Sequence, residues 1–214
     1  MHRPKSTGRR TFLTGIGAVL LSAPGAVRAR AAAPGSAPVG REEWLRRLES
    51  HLDSLTTMKA AFLQVSSTGE VARGTFYMRR PGKLRIEYAP PSPVLIVADG
   101  HRLIYYDKEL ETVNMVPIED TLAAFLVRDD VRFAGDVKVA GFSHERGLLR
   151  VVLARTREPE GGSLALIFDD DPLRLRQWIV TDAQGISTRV SLTDVTFGIA
   201  LADGLFEVAE PDTP

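Results

Sequence analysis

The sequence predicts a mainly β protein of the α+β class, an incomplete antiparallel β-barrel left open and covered by a lid of short amphipathic helices. Three observations predict it. Apolar and polar residues alternate along a succession of short runs rich in β-branched and aromatic side chains. Turn-forming groups, Pro81-Gly82, Asp99-Gly100, Gly161-Gly162, Asp170-Asp171-Pro172 and Gln184-Gly185, separate those runs at the spacing of consecutive hairpins. Two segments instead repeat at helical spacing, and each apolar helix face needs a sheet face to bury it.

The first 31 residues carry a basic start (Arg3, Lys5, Arg9, Arg10), an uncharged stretch from Phe12 to Ser22 and small residues at Ala29 and Ala31, which together read as a cleaved export signal. Gly8-Arg9-Arg10-Thr11-Phe12-Leu13 gives it the twin-arginine type, an ordinary secretory signal with adjacent arginines being the alternative. The apolar run is too short to span a bilayer core about 30 Å thick, so no permanent anchor is expected. Residues 32–40 are small and proline-rich and read as a flexible leader; residues 41–214 form the domain. The signal holds six of the 27 Lys and Arg and none of the 27 Asp and Glu, so the mature chain carries a net charge of −6. That balance, without a basic run interleaved with aromatics, argues against a nucleic-acid partner. The absence of cysteine excludes disulfides, thiolate catalysis and acylation through sulfur.

From Arg41 to Leu55, Trp44, Leu45, Leu48, Leu52 and Leu55 share one helical face, opposite Glu42, Arg46, Glu49 and Asp53. The period then changes to two. Strands are predicted at Val71 to Arg80, Lys83 to Tyr88, Val94 to Ala98, Arg102 to Asp107, Thr112 to Pro117, Leu148 to Arg155, Ser163 to Asp169, Leu175 to Thr181 and Ile186 to Phe197. Between the fifth and sixth of these, Ile118, Leu122, Phe125 and Leu126 repeat as a second short helix, with Glu119 and Asp120 at its start and Arg128 at its end.

Residue patterns for chemistry are sparse. His51, His101 and His144 lie on a helix, a turn and a loop without metal-ligand spacing, and no phosphate-cradling glycine loop follows the signal. Asp169-Asp170-Asp171 before Pro172 reads as a hairpin turn, and Glu109 and Glu111 lack a partner that would tune either as an acid. No enzyme activity, metal or cofactor is therefore expected. Arg80 is the informative residue: alternation places it on the same face as Ala72, Gly74, Phe76 and Met78, so a guanidinium with five donors closes an apolar row. It can turn into solvent, or it can latch unsatisfied carbonyls at the end of a helix lying over the sheet.

Around Arg80 the chain resembles the LolA family, periplasmic carriers that move lipoproteins from the inner to the outer membrane of Gram-negative bacteria. The resemblance runs through Phe62-x-Gln64, Gly74-x-Phe76, Arg80-Pro81, Arg85-x-x-Tyr88, Pro91, Asp99-Gly100, Tyr106-Asp107, the second helix and Phe206. It implies an apolar cavity for acyl chains between lid and sheet, with Arg80 hydrogen-bonded to the lid, Leu48 and Leu52 on the first helix and Leu122, Phe125 and Leu126 on the second. Phe62, Phe76, Met78, Leu84 and Ile86 complete the expected site, Leu84 and Ile86 standing where the family often places aromatics. The C-terminus is shorter than in the best-known members. The implied partners of this periplasmic monomer are lipoproteins, an inner-membrane ABC lipoprotein exporter and an outer-membrane receptor lipoprotein; a chain without cysteine is not itself that receptor. The alternative is a lipid-sensing regulatory module on the same scaffold.

Overall fold

The computed structural model describes residues 39–121 and 123–208, all within the unit Pro38–Pro214. The export signal and all but the last two leader residues lie outside the described residues. Eleven strands follow one helix: α1 (Arg41–Ser54), β1 (Thr57–Ser66), β2 (Val71–Arg79), β3 (Lys83–Tyr88), β4 (Val94–Asp99), β5 (Arg102–Asp107), β6 (Thr112–Pro117), then a short helix α2 (Ala123–Val127), and β7 (Val137–Glu145), β8 (Leu148–Arg155), β9 (Gly162–Asp170), β10 (Leu173–Asp182) and β11 (Ser187–Phe197). They form one antiparallel sheet in the order β6-β5-β4-β3-β2-β1-β11-β10-β9-β8-β7. The sheet does not close, and β6 and β7 are its free edges. Core residues from β2 and β3 (Phe76, Leu84) and from β8 and β9 (Leu149, Phe168) join a single cluster with α1, so the sheet curls around that helix.

The order of strands explains the lid. A chain leaving β6 at one edge has to re-enter at β7 on the other, and residues 118–136 make that passage, carrying α2. Its first half differs from the helix expected. Ile118–Asp120 forms a 3-10 turn, Thr121 is extended at φ −116°, ψ 153°, and its hydroxyl donates to the Ile118 carbonyl at 2.7 Å. A threonine that satisfies the preceding turn locally ends it, and α2 restarts at Ala123. Leu122 lies outside the described residues.

Two strands were absent from the expectation. In β1, Lys59-Ala60-Ala61 has weak β preference, yet Met58, Ala60 and Phe62 alternate inward once β2 and β11 pair with it on both sides. In β7 the alternation breaks at a bulge between Val139 and Gly141. Val139 and Phe142 pack on the core from either side of it, and Val39, in the leader, also packs there. Strand β2 stops at Arg79, one residue short of the predicted end, leaving Arg80 in the turn to β3. At Gly74 a Cβ would meet the Glu87 carbonyl of β3 at 1.9 Å and the Phe62 ring at 2.7 Å, so glycine alone permits β1, β2 and β3 to lie this close.

The outer face of the sheet carries a strap. Arg79 donates to the Leu201 carbonyl at 2.7 Å and pairs with Asp203, and Arg85 donates to the Leu205 carbonyl at 3.0 Å. Phe206 thereby sits on Leu95 and Val97, the outward residues of β4.

Candidate functional site

Helix α1 lies on the inner face of the sheet because its stripe of Trp44, Leu45, Leu48 and Leu52 is buried there, each leucine stabilising the contact by about 1.5–3 kcal/mol. Glu42 and Glu43 sit at its positive N-terminal end. Its other end meets Arg80. The Arg80 Nη1 donates to the Leu52 carbonyl, while Nε and Nη2 donate to the Leu126 carbonyl at 3.0 and 2.8 Å. The Gly82 amide of the same turn donates to the Val127 carbonyl at 2.7 Å. One turn of the sheet thus satisfies carbonyls at the C-terminal ends of both lid helices, where unpaired acceptors and the negative dipole end coincide. Burial lowers the Arg80 pKa from the ordinary guanidinium value, with the Asp53 carboxylate opposing the shift, and a guanidinium keeps its charge even so.

Beneath the lid the space is closed. The gap bounded by Leu52, Leu55, Met58, Met78, Leu126 and Trp178 measures about 10 Å³, less than one water occupies. Among the described residues, side chains of helices and strands pack around this gap: Leu48, Leu52, Met58, Phe76, Met78, Leu84 and Phe125 are all nearly inaccessible. An open apolar cleft of about 310 Å³ among the described residues is walled by the strand residues Phe62, Phe76, Ile86, Trp178, Val180 and Val190 and by Ile186, with Gln64, Asp182 and Thr188 completing its lining. Phe76 and Trp178, in edge contact at 5.2 Å, line both spaces and form the partition between them. Tyr88 donates to the Gln64 side-chain oxygen at 2.8 Å, and burial, only partly opposed by that bond, raises its pKa above 10.0.

The structure divides the predicted residues into three sets. Phe62, Phe76 and Ile86 line the open cleft; Leu52, Phe76, Met78, Arg80 and Leu126 bound the closed gap; Leu48, Leu84 and Phe125 belong to the core around it. Trp178, Val180 and Val190 were not among the residues expected at the site, nor were Ile186, in the turn between β10 and β11, and Gln64, which the family pattern contains but which was given no site role. The signal for the first three was the alternation of β10 and β11, but only pairing across β1 brings these strands opposite Phe62 and Phe76. Two larger surface clefts, about 540 and 760 Å³, are lined mainly by charged and polar residues, among them Arg128, Asp136 and Arg155 in one and Asp169, Asp171 and Arg174 in the other, and offer no apolar chamber. Among the described residues no three His, Cys, Asp or Glu side chains are grouped as metal ligands, and no helix is long and apolar enough to cross a membrane.

The family model described as "Outer membrane lipoprotein carrier protein LolA" matches residues 53–209. An outer-membrane lipoprotein carrier protein of Methylococcus capsulatus is 29% identical over 173 residues, covering 77% of this chain and 83% of its own. That of Legionella pneumophila strain Corby is 30% identical over 174 residues, covering 77% and 84%. Among solved structures, a LolA superfamily protein from Nitrosomonas europaea is similar with a TM-score of 0.43 at 12% identity, covering 77% of this chain and 97% of that one. With the family's pattern matched across most of its length, from the end of α1 to the strap beyond Phe206, the chain belongs to the LolA family of outer-membrane lipoprotein carrier proteins.

Proposed function

We propose that this protein is a periplasmic chaperone that shelters the acyl chains of lipoproteins in its apolar cleft and carries them from an inner-membrane ABC exporter to an outer-membrane receptor lipoprotein. The observation that carries the reading is the juxtaposition of an open apolar cleft with a closed apolar interior, separated by Phe76 and Trp178 and roofed by helices fastened to Arg80.

At about 30 Å³ for a group the size of a water molecule, a 310 Å³ cleft admits roughly ten methylenes, worth about 8 kcal/mol. A lipoprotein anchor carries at least two longer chains. The remaining carbons fit once the lid lifts and the space beneath joins the cleft, which requires breaking the Arg80 bonds. Charge-assisted hydrogen bonds contribute about 1.5–3 kcal/mol each, so breaking the three that Arg80 makes costs on the order of 4.5–9 kcal/mol. That cost is subtracted from affinity, leaving a complex able to pass its cargo on without an energy source of its own.

The test is purification of wild-type and Arg80→Leu protein from the periplasm, followed by mass spectrometry of what copurifies. Acylated proteins recovered with both, in larger amount with Arg80→Leu, support the reading. Recovery of free lipid without any acylated protein overturns it.

A further inference from the structure

The polar contacts of α1 are unevenly distributed. Among the described residues, it is tied to the sheet by a single side chain, Arg80, through the Leu52 carbonyl. To the passage between α2 and β7 it is tied by two carboxylates on successive turns. Asp53 accepts the Val131 amide at 2.7 Å and pairs with Arg132 at 2.8 Å, and Glu49 accepts the Phe133 amide at 2.6 Å. These are backbone donors that have no partner within a helix or strand, held by charged acceptors, which are the stronger kind of hydrogen bond. The held segment is itself anchored to α2: Phe133 stacks on Phe125 at 5.8 Å, the Arg128 guanidinium lies 4.9 Å from the centre of the Phe125 ring, and Arg128 closes back on Asp136 at 2.8 Å. Val131 and Phe133 are buried in the same cluster as Leu48 and Leu52.

We infer that Glu49 and Asp53 are positioning residues that fasten α1 to the α2–β7 passage, so that the lid swings from the sheet as one body once the bonds of Arg80 and of the Gly82 amide to it give way. The inference rests on the carrier reading for its purpose, and on geometry for its content. A helix released alone would expose the Val131 and Phe133 amides; a lid released whole keeps them bonded to α1. The two motions differ at two nameable hydrogens. Moving whole, the lid also conserves the stack of Phe125 on Phe133, so the single set of contacts broken on opening is the one between lid and strands.

The experiment follows amide exchange at Val131 and Phe133 by NMR in the mature protein, beside uptake of a dansyl-labelled fatty acid, in Arg80→Leu, in the double variant Glu49→Ala with Asp53→Ala, and in the conservative double variant Glu49→Gln with Asp53→Asn. Arg80→Leu is expected to raise uptake about tenfold or more while exchange at the two amides stays within about twofold of wild type. The alanine pair is expected to raise exchange at both by about tenfold or more, and the amide pair, whose side-chain oxygens still accept, to restore most of the protection. Exchange at Val131 and Phe133 rising in step with uptake in Arg80→Leu overturns the one-body lid, and unchanged exchange in the alanine pair overturns the clamp. Unchanged uptake in Arg80→Leu counts against the carrier reading instead, since the clamp is then still read from the two double variants.

Discussion

Arg80 holds acceptors from two helices with one planar group, a task a point charge on a flexible stem performs poorly. Arg80→Lys is therefore expected to fall between wild type and Arg80→Leu. With the latch removed, the opening cost leaves the binding balance, and acyl probes should bind Arg80→Leu about tenfold more tightly or more, because 1.4 kcal/mol is a factor of ten. Fluorescence titration of the three proteins checks the order; equal affinities would remove Arg80 from the release step. Gly74 is a second residue with a sharp expectation. A methyl there collides with the Glu87 backbone at 1.9 Å, so Gly74→Ala should destabilise the fold by about 1–3 kcal/mol or more in urea unfolding, unlike an alanine at Gly40, where no atom lies within 4 Å. At this scale the sequence was informative wherever one residue type does what few others can. Arg80 ends an apolar row and Gly74 lies in a strand interior, and both stand out in the string of letters. Trp178 does not, because an inward tryptophan in β10 reads as core until the strand across from it is known.

Elements were legible in proportion to their local signal. Helix α1 was, since four buried positions repeat over fourteen residues, and so were the hairpins whose turns contain Gly or Pro. Strand β1 was hidden by a Lys-Ala-Ala sequence that becomes a strand only through pairing on both sides, β7 by its bulge, and the break in the second helix by Thr121, whose local hydrogen bond outweighs the apolar repeat. The attachment of α1 carries its own pH dependence. The His51 ring packs edge-on to Phe168 with Nε2 buried and unpartnered, and burial pushes its pKa below 6.5. In the unfolded chain the ring protonates near 6.5, and in the folded protein only at lower pH, so the unfolded state binds more protons in that window and stability falls as pH drops through it. Between about pH 7 and about pH 5 the Tm of wild type should fall more than that of His51→Leu, as thermal scans would reveal; parallel curves would refute the assignment. Asp53 acts in a lower window. Burial raises its pKa, but the Val131 amide and Arg132 outweigh burial and hold it below 3.8, so its contribution is present above 3.8 and disappears as pH falls through the lower folded value. Asp53→Asn should lower Tm at neutral pH, with the difference from wild type closing well below 3.8.

At the scale of the whole molecule, the family pattern along the chain announced a greasy interior under a lid, but the division of that interior into an open cleft and a closed gap follows from side-chain packing that no periodicity encodes. The division has a measurable consequence. If the carrier reading holds, an acyl chain bound to the closed protein should extend through the cleft until it meets Phe76 and Trp178, after about ten carbons by volume. Up to that length each added methylene contributes about 0.8 kcal/mol, close to a fourfold gain in affinity. Beyond it, further carbons reach apolar space only by displacing the partition and lifting the lid, so the gain per carbon is offset by the opening cost. Fatty acids of increasing length should accordingly bind wild type with a steep rise and then a plateau, while Arg80→Leu, with its lid already free, should continue the rise past the same length. Trp178 sits in the partition and, in a Trp44→Phe background, is the sole tryptophan of the chain, so its emission reports the moment the barrier is crossed. A steady rise in wild type through the whole series, with no change of slope at Trp178, would mean that the gap beneath α1 is already open to ligand and that Arg80 regulates nothing.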